Sequence, residues 1–103
     1  MSTFQLSQSN INEALARPIV LIDFYGPKCH SCKSFAPIYE KASNSNPDVL
    51  FAKLDTSAEP DLANGFNVKS LPTLIAIKNG QIAAIRTGIL MAGQLDQIIR
   101  SLR

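Results

Sequence analysis

Cysteine and histidine are scarce in this chain of 103 residues, which has two of the first and one of the second. A structural zinc site needs four ligands, and Cys29, Cys32 and the His30 between them are too few. Nor do the cysteines read as a staple, because a bridge across so short a loop restrains almost nothing of the unfolded chain. A chemical role is the better reading. No run of five or more Lys or Arg occurs and the net charge is +2, so neither nucleic acid nor a membrane surface is indicated as a partner. The longest apolar runs are a few residues, far short of the roughly 20 that span a bilayer. Met1–Asn10 contains no basic residue and no apolar core, so it does not read as a secretory signal. These absences predict a soluble, cytoplasmic, monomeric protein. There are no repeats, linkers or low-complexity segments.

What is present suits a folded domain. Apolar residues make up 46% of the chain and charged ones 17%, and 103 residues can bury one hydrophobic core, so residues 1–103 read as a single domain. The stretch Ile19–Cys32 organises it. Ile19–Tyr25 is a nearly continuous apolar strand, the pattern of one buried on both faces. A Gly26-Pro27 turn then leads to Cys29 and Cys32, where a helical pattern begins. Asp23 interrupts the strand, and a charged, unpaired carboxylate there costs several kcal/mol.

The flanks complete the pattern. Thr3–Leu6 predicts a weak edge strand, and Asn10 with Glu13 predicts a capped short helix that Pro18 ends. From about Cys29 to Asn44, Phe35, Ile38, Tyr39 and Ala42 recur at helical spacing, with Pro37 inside. A loop over Asn44–Asp48 precedes a second inner strand, Val49–Asp55, with Lys53 as its intruding charge. A short helix over Glu59–Asn64 ends at Gly65, read as its C′ residue. Asn79-Gly80 joins the strands Thr73–Lys78 and Gln81–Thr87 as a hairpin, Gly88 breaks the pattern, and Ala92–Leu102 is an amphipathic helix. The order β-α-β-α-β-α-β-β-α predicts an α/β fold, a mixed sheet between helices.

A Cys-x-x-Cys pair at a strand-to-helix junction suits disulfide exchange. The attacking species is the thiolate, and Cys29 at a helix N-terminus faces unpaired N–H groups and the positive end of the dipole. Lys28 and His30 add to that field. A lowered thiol pKa also lowers intrinsic nucleophilicity, so the rate gain is only about three-fold. The larger effects fall on redox equilibrium and on Cys29 as a leaving group. Cys32, one turn on, can attack a Cys29 mixed disulfide without diffusion. Asp23 is the candidate base for its proton, and Lys53 on the neighbouring strand is placed to pair with Asp23. Taken singly, Asp23 and Lys53 also suit a structural role, and His30 a passive surface one.

The motifs Asp23-Phe24-Tyr25, Cys29-x-x-Cys32-Lys33, Ala36-Pro37, Ala52-Lys53-Leu54-Asp55, Ser70-Leu71-Pro72-Thr73, Asn79-Gly80 and Gly88 resemble those of the thioredoxin family across nearly the whole chain. The resemblance implies the thioredoxin fold, a central five-stranded mixed sheet flanked by four helices. It implies Cys29 as nucleophile, Cys32 as resolving thiol, Asp23 as buried carboxylate and Pro72 as a cis-proline facing the cysteines. Tyr25, Lys28, His30, Leu71, Pro72 and Gly88 are then expected around the substrate. It further implies protein disulfides as substrates, a thioredoxin reductase as electron donor, and no bound cofactor or metal.

The sequence departs from the family's Trp-Cys-Gly-Pro-Cys centre, with Lys28, His30 and Ser31 at the changed positions and no tryptophan at all. Loss of the aromatic at Lys28 removes apolar docking surface. Lys28 and His30 should make the disulfide more oxidising, each by about 20 mV or less. Two rival readings stand beside the reductase: an oxidase or isomerase, and a binding module without redox turnover.

Overall fold

The computed structural model describes residues 3–103. Its element order is β1 (Thr3–Gln5), α1 (Ile11–Leu15), β2 (Ile19–Tyr25), α2 (His30–Ser45), β3 (Leu50–Asp55), α3 (Pro60–Gly65), β4 (Thr73–Lys78), β5 (Gln81–Thr87) and α4 (Ala92–Leu102). The sheet runs β1-β3-β2-β4-β5. β1, β3 and β2 are mutually parallel, and β4 and β5 are antiparallel to their neighbours.

The apolar run of β2 fits its place at the centre, because strands on both sides satisfy its backbone and helical layers cover both faces. Its side chains alternate between two cores. Leu21 joins Phe35, Tyr39, Phe51, Leu95 and Ile99 beneath α2 and α4. Val20, Ile22 and Phe24 join Leu54, Ile75 and Ile77 on the face that carries α1 and α3. The Tyr39 hydroxyl, fully buried, lies 3.0 Å from the Leu21 carbonyl and 2.7 Å from that of Ala52, and so ties α2 to both central strands.

The hairpin forms as its sequence demands. Asn79 and Gly80 have φ of 52° and 81°, the pair of positive values a type I′ turn requires. Three local expectations are corrected. Asn10 stands at the N-cap position of α1 as expected, but its side chain makes no cap hydrogen bond; it accepts from the Ser7 N–H and donates to the Gln5 carbonyl, closing the β1–α1 loop. Gly65 lies inside α3, and Asn67 (φ 60°) takes the left-handed position, with Asn67 N–H on Asn64 O and Val68 N–H on Ala63 O. That is a Schellman closure, one that asparagine tolerates. Finally, α2 runs on to Ser45 rather than stopping at Asn44.

Candidate active site

The site grows from the C-terminal end of β2. There the chain leaves the sheet, turns through Gly26-Pro27-Lys28 and enters α2 with Cys29 as N-cap. The Cys32 N–H donates to Cys29 Sγ at 3.1 Å, and the Ser31 hydroxyl lies 3.5 Å from the same sulfur. Cys29 and Cys32 form a disulfide with Cα atoms 5.2 Å apart. The two sulfurs differ in setting: Cys29 is half-buried and Cys32 only 4% exposed. No acidic residue occupies the first turn of α2, so the dipole's positive end reaches Cys29 uncompensated.

Behind the pair, Asp23 is 1% exposed and neither carboxylate oxygen has a hydrogen-bond partner. Burial pushes its pKa from 3.8 to about 6, and the positive charge of Lys53 opposes part of that rise. Lys53 stands beside Asp23 in the β2–β3 register. It does not hydrogen-bond the carboxylate, which corrects the expected pairing; its ammonium lies 4.7 Å above the Tyr25 ring centroid. A cation held over an aromatic face keeps more of its hydration than one buried against a carboxylate. Tyr25 in turn directs its hydroxyl to Gln5 Oε1 at 3.3 Å. Tyr25, Pro27, Cys32 and Lys53 line one cleft of about 220 Å³.

The opposite rim comes from the start of β4. Phe24 pairs with Thr73, which brings Leu71 and Pro72 to the end of the sheet from which the cysteine loop emerges. The Leu71–Pro72 peptide bond is cis. A Cβ on Gly26 would stand 3.0 Å from Leu71 Cδ1, so Leu71 packs directly on the turn. Gly88 (φ 85°) donates its N–H to the Pro72 carbonyl at 2.9 Å and extends the β4–β5 ladder by one bond. A side chain at Gly88 would be strained in that conformation.

The tertiary structure thus gathers Cys29, Cys32, Tyr25, Lys53, Leu71, Pro72 and Gly88 at one end of the sheet, with Asp23 buried behind them. Lys28 and His30 are exposed on either side of Cys29. Two contributors escaped the sequence. Ser31 brings a hydroxyl to Cys29, and its signal was a hydrogen-bonding residue in the first turn of the helix. Tyr39 read only as core, yet burial and the Asp23 charge hold its hydroxyl pKa well above the ordinary phenol value.

The Thioredoxin family model matches residues 2–101. The chain belongs to the thioredoxin family. A putative thioredoxin 2 of Streptomyces coelicolor is 38% identical over 103 residues, which cover 99% of this chain and 77% of that protein. Bovine protein disulfide-isomerase A4 is 43% identical over 84 residues, covering 77% of this chain and 13% of the isomerase. A point mutant of a thioredoxin from Halobacterium salinarum superimposes with a TM-score of 0.92 over 98% of this chain and 90% of its own, at 24% identity. With its redox-capable cysteine pair, this thioredoxin-family chain is a thiol–disulfide oxidoreductase acting on protein disulfides. None of its described helices is long and apolar enough to cross a membrane.

Proposed function

We propose that the chain is a monomeric, single-domain cytoplasmic reductase of protein disulfides, in which Cys29 attacks and Cys32 resolves. The difference in setting between the two sulfurs carries this reading: the more accessible one accepts an N–H, and the other is buried. In the reduced protein the Cys29 thiolate attacks one sulfur of a client disulfide, forms a mixed disulfide and expels the first client thiolate. Cys32 then loses its proton and attacks Cys29 Sγ. The second client thiol departs, and the Cys29–Cys32 disulfide remains. Two electrons have passed to the client, and an external donor, a thioredoxin reductase by family resemblance, returns them.

Asp23 accepts the Cys32 proton. A carboxyl with a pKa of about 6 is poised near neutrality for that transfer. Lys53, held over Tyr25, limits the upward shift and shares the cleft with Cys32. Ser31 brings its hydroxyl to the Cys29 sulfur, and Lys28 and His30 flank it in the chain. Leu71, Pro72 and Gly88 form the rim on which an extended client backbone docks. The test is turbidimetric reduction of insulin, which the wild type should catalyse, with Cys32→Ser accumulating covalent client adducts. A wild type with no turnover would leave a binding module.

The identity shared with a segment of protein disulfide-isomerase A4 favours a second reading, net disulfide formation or shuffling. Equilibration with glutathione separates the two. A strongly oxidising wild-type potential would favour net disulfide formation and a low one reduction; on either reading the doubly substituted His30→Gly/Ser31→Pro protein should have a lower potential than wild type.

A further inference from the structure

β5 is an apolar strand left in the open. Ile82 and Ile85 are 53% and 51% exposed. Three residues apart on a regular strand, they would face opposite sides of the sheet. The β4–β5 register shifts between Ala76 and Ile77, so Ala83 has no partner while Ile82 pairs with Ile77 and Ile85 with Ile75. The bulge turns both isoleucines to the same face. There they wall a furrow of about 680 Å³, floored by Ile75 and Ile77 and bounded on the far side by Val68.

We propose that this furrow seats an extended client segment of alternating aliphatic and acidic residues, running away from Pro72 along β4 and β5. The inference rests on the disulfide-exchange reading above and assigns its clients a class. Continuity supports it first. Ser70, Thr73 and Thr87 line one end of the furrow; they flank Leu71–Pro72 and Gly88, so the furrow opens on the rim beside the cysteines. From Thr73 to Ile77 is four strand steps, about 13 Å, the length of four or five extended residues.

Charge supports it second. From Leu62 to Leu95 there is no Asp or Glu, while Lys69 lines the furrow. An extended segment presents alternate side chains to opposite sides, so aliphatic residues enter the furrow and the acidic ones between them stay at its mouth, within reach of the long Lys69 side chain. A second copy of this chain docked on the same furrow would bring Lys69 against Lys69, which disfavours self-association there.

The probes are peptides with one cysteine as a mixed disulfide with 5-thio-2-nitrobenzoate. The cysteine is joined on either side to Ile-Glu-Ile-Glu-Ile, to Ile-Lys-Ile-Lys-Ile or to a Ser-Gly tail of equal length. Single-turnover release of the coloured thiolate from pre-reduced protein gives the half-saturating concentration. For the best Ile-Glu tail this should be about ten-fold lower than for Ser-Gly, the fold-change expected from burying one or two isoleucines. Ile82→Ser/Ile85→Ser should abolish that advantage while leaving the rate with the tailless dimer of the chromophore unchanged. Lys69→Glu should move the preference from the Ile-Glu tail to the Ile-Lys tail by about two- to three-fold.

Equal constants for all tails in wild type, with the tailless probe still reduced, would overturn the furrow and leave the chemistry standing. A protein that fails on the tailless probe fails as an oxidoreductase instead. Sedimentation showing a dimer that Ile82→Ser/Ile85→Ser dissolves would give the surface to a second copy and also overturn the proposal.

Discussion

β2 and β5 are both seven-residue strands rich in aliphatic side chains, and they meet opposite fates. β2 buries five of its seven residues, Asp23 among them, whereas no residue of β5 is buried. Gln81–Thr87, with its Gln, Arg and Thr, is the more polar of the two, and position in the sheet completes the difference. A central strand has neighbours on both edges and helices over both faces. The last strand has one neighbour, and on the α1/α3 side no helix covers it completely. The lesson is that the scaffold spends its apolar surface in two ways. At β2 the apolar surroundings desolvate a carboxylate behind the cysteines, and at β5 they remain available to a partner.

The comparison breaks most readily at the cysteines. Cys29→Ser should abolish insulin reduction altogether, and residual turnover would place the attacking group elsewhere. Next comes stability. Ile22→Ala, at the centre of β2, should cost about 3–4 kcal/mol in chemical denaturation, and Ile85→Ala on β5 less than about 0.5 kcal/mol. Similar losses at the two sites would mean that β5 is covered in solution.

Asp23 sharpens the contrast through pH. Its carboxyl titrates at about 6 in the folded chain against 3.8 as an ordinary carboxyl. The folded state therefore holds the proton more tightly, and the stability this group contributes is complete below pH 4 and lost by the time pH passes 6. The difference amounts to about 3 kcal/mol. Asp23→Asn should accordingly stabilise the oxidised protein by up to that amount at pH 7.5, show no such gain at pH 3.5, and slow insulin reduction. Denaturation curves at the two pH values, beside one assay, check all three. A more modest effect than at Ile22 or Asp23 belongs to the cross-strand tie: Tyr39→Phe should cost about 1–1.5 kcal/mol, measured by the same denaturation, by removing the hydroxyl that reaches the Leu21 and Ala52 carbonyls.

Local chemistry made much of this molecule legible beforehand. Ile19–Tyr25, Thr73–Lys78, Gln81–Thr87 and Ala92–Leu102 appear with the bounds their patterns implied, because periodicity and the Asn79-Gly80 turn act over neighbouring residues. Errors arose where a residue had a choice of partners. Asn10 could cap a helix or hold a loop, Gly65 or Asn67 could take the left-handed position, and Lys53 could meet Asp23 or Tyr25. Asn10 and Asn67 were settled by backbone groups a few residues away, competing at the same loop, and Lys53 by an aromatic ring across the sheet.

The amino-acid order alone determined the alternation of strands and helices, the placing of two cysteines at a helix start, and a carboxylate inside an apolar strand. Those depend on short-range stereochemistry and on which residues water rejects. Only the tertiary structure decided that one sulfur is half-buried and the other closed off, that Lys53 stops above an aromatic ring, and that a bulge turns Ile82 and Ile85 to one face. These outcomes depend on which distant segments compete for the same space, and no local pattern encodes that competition.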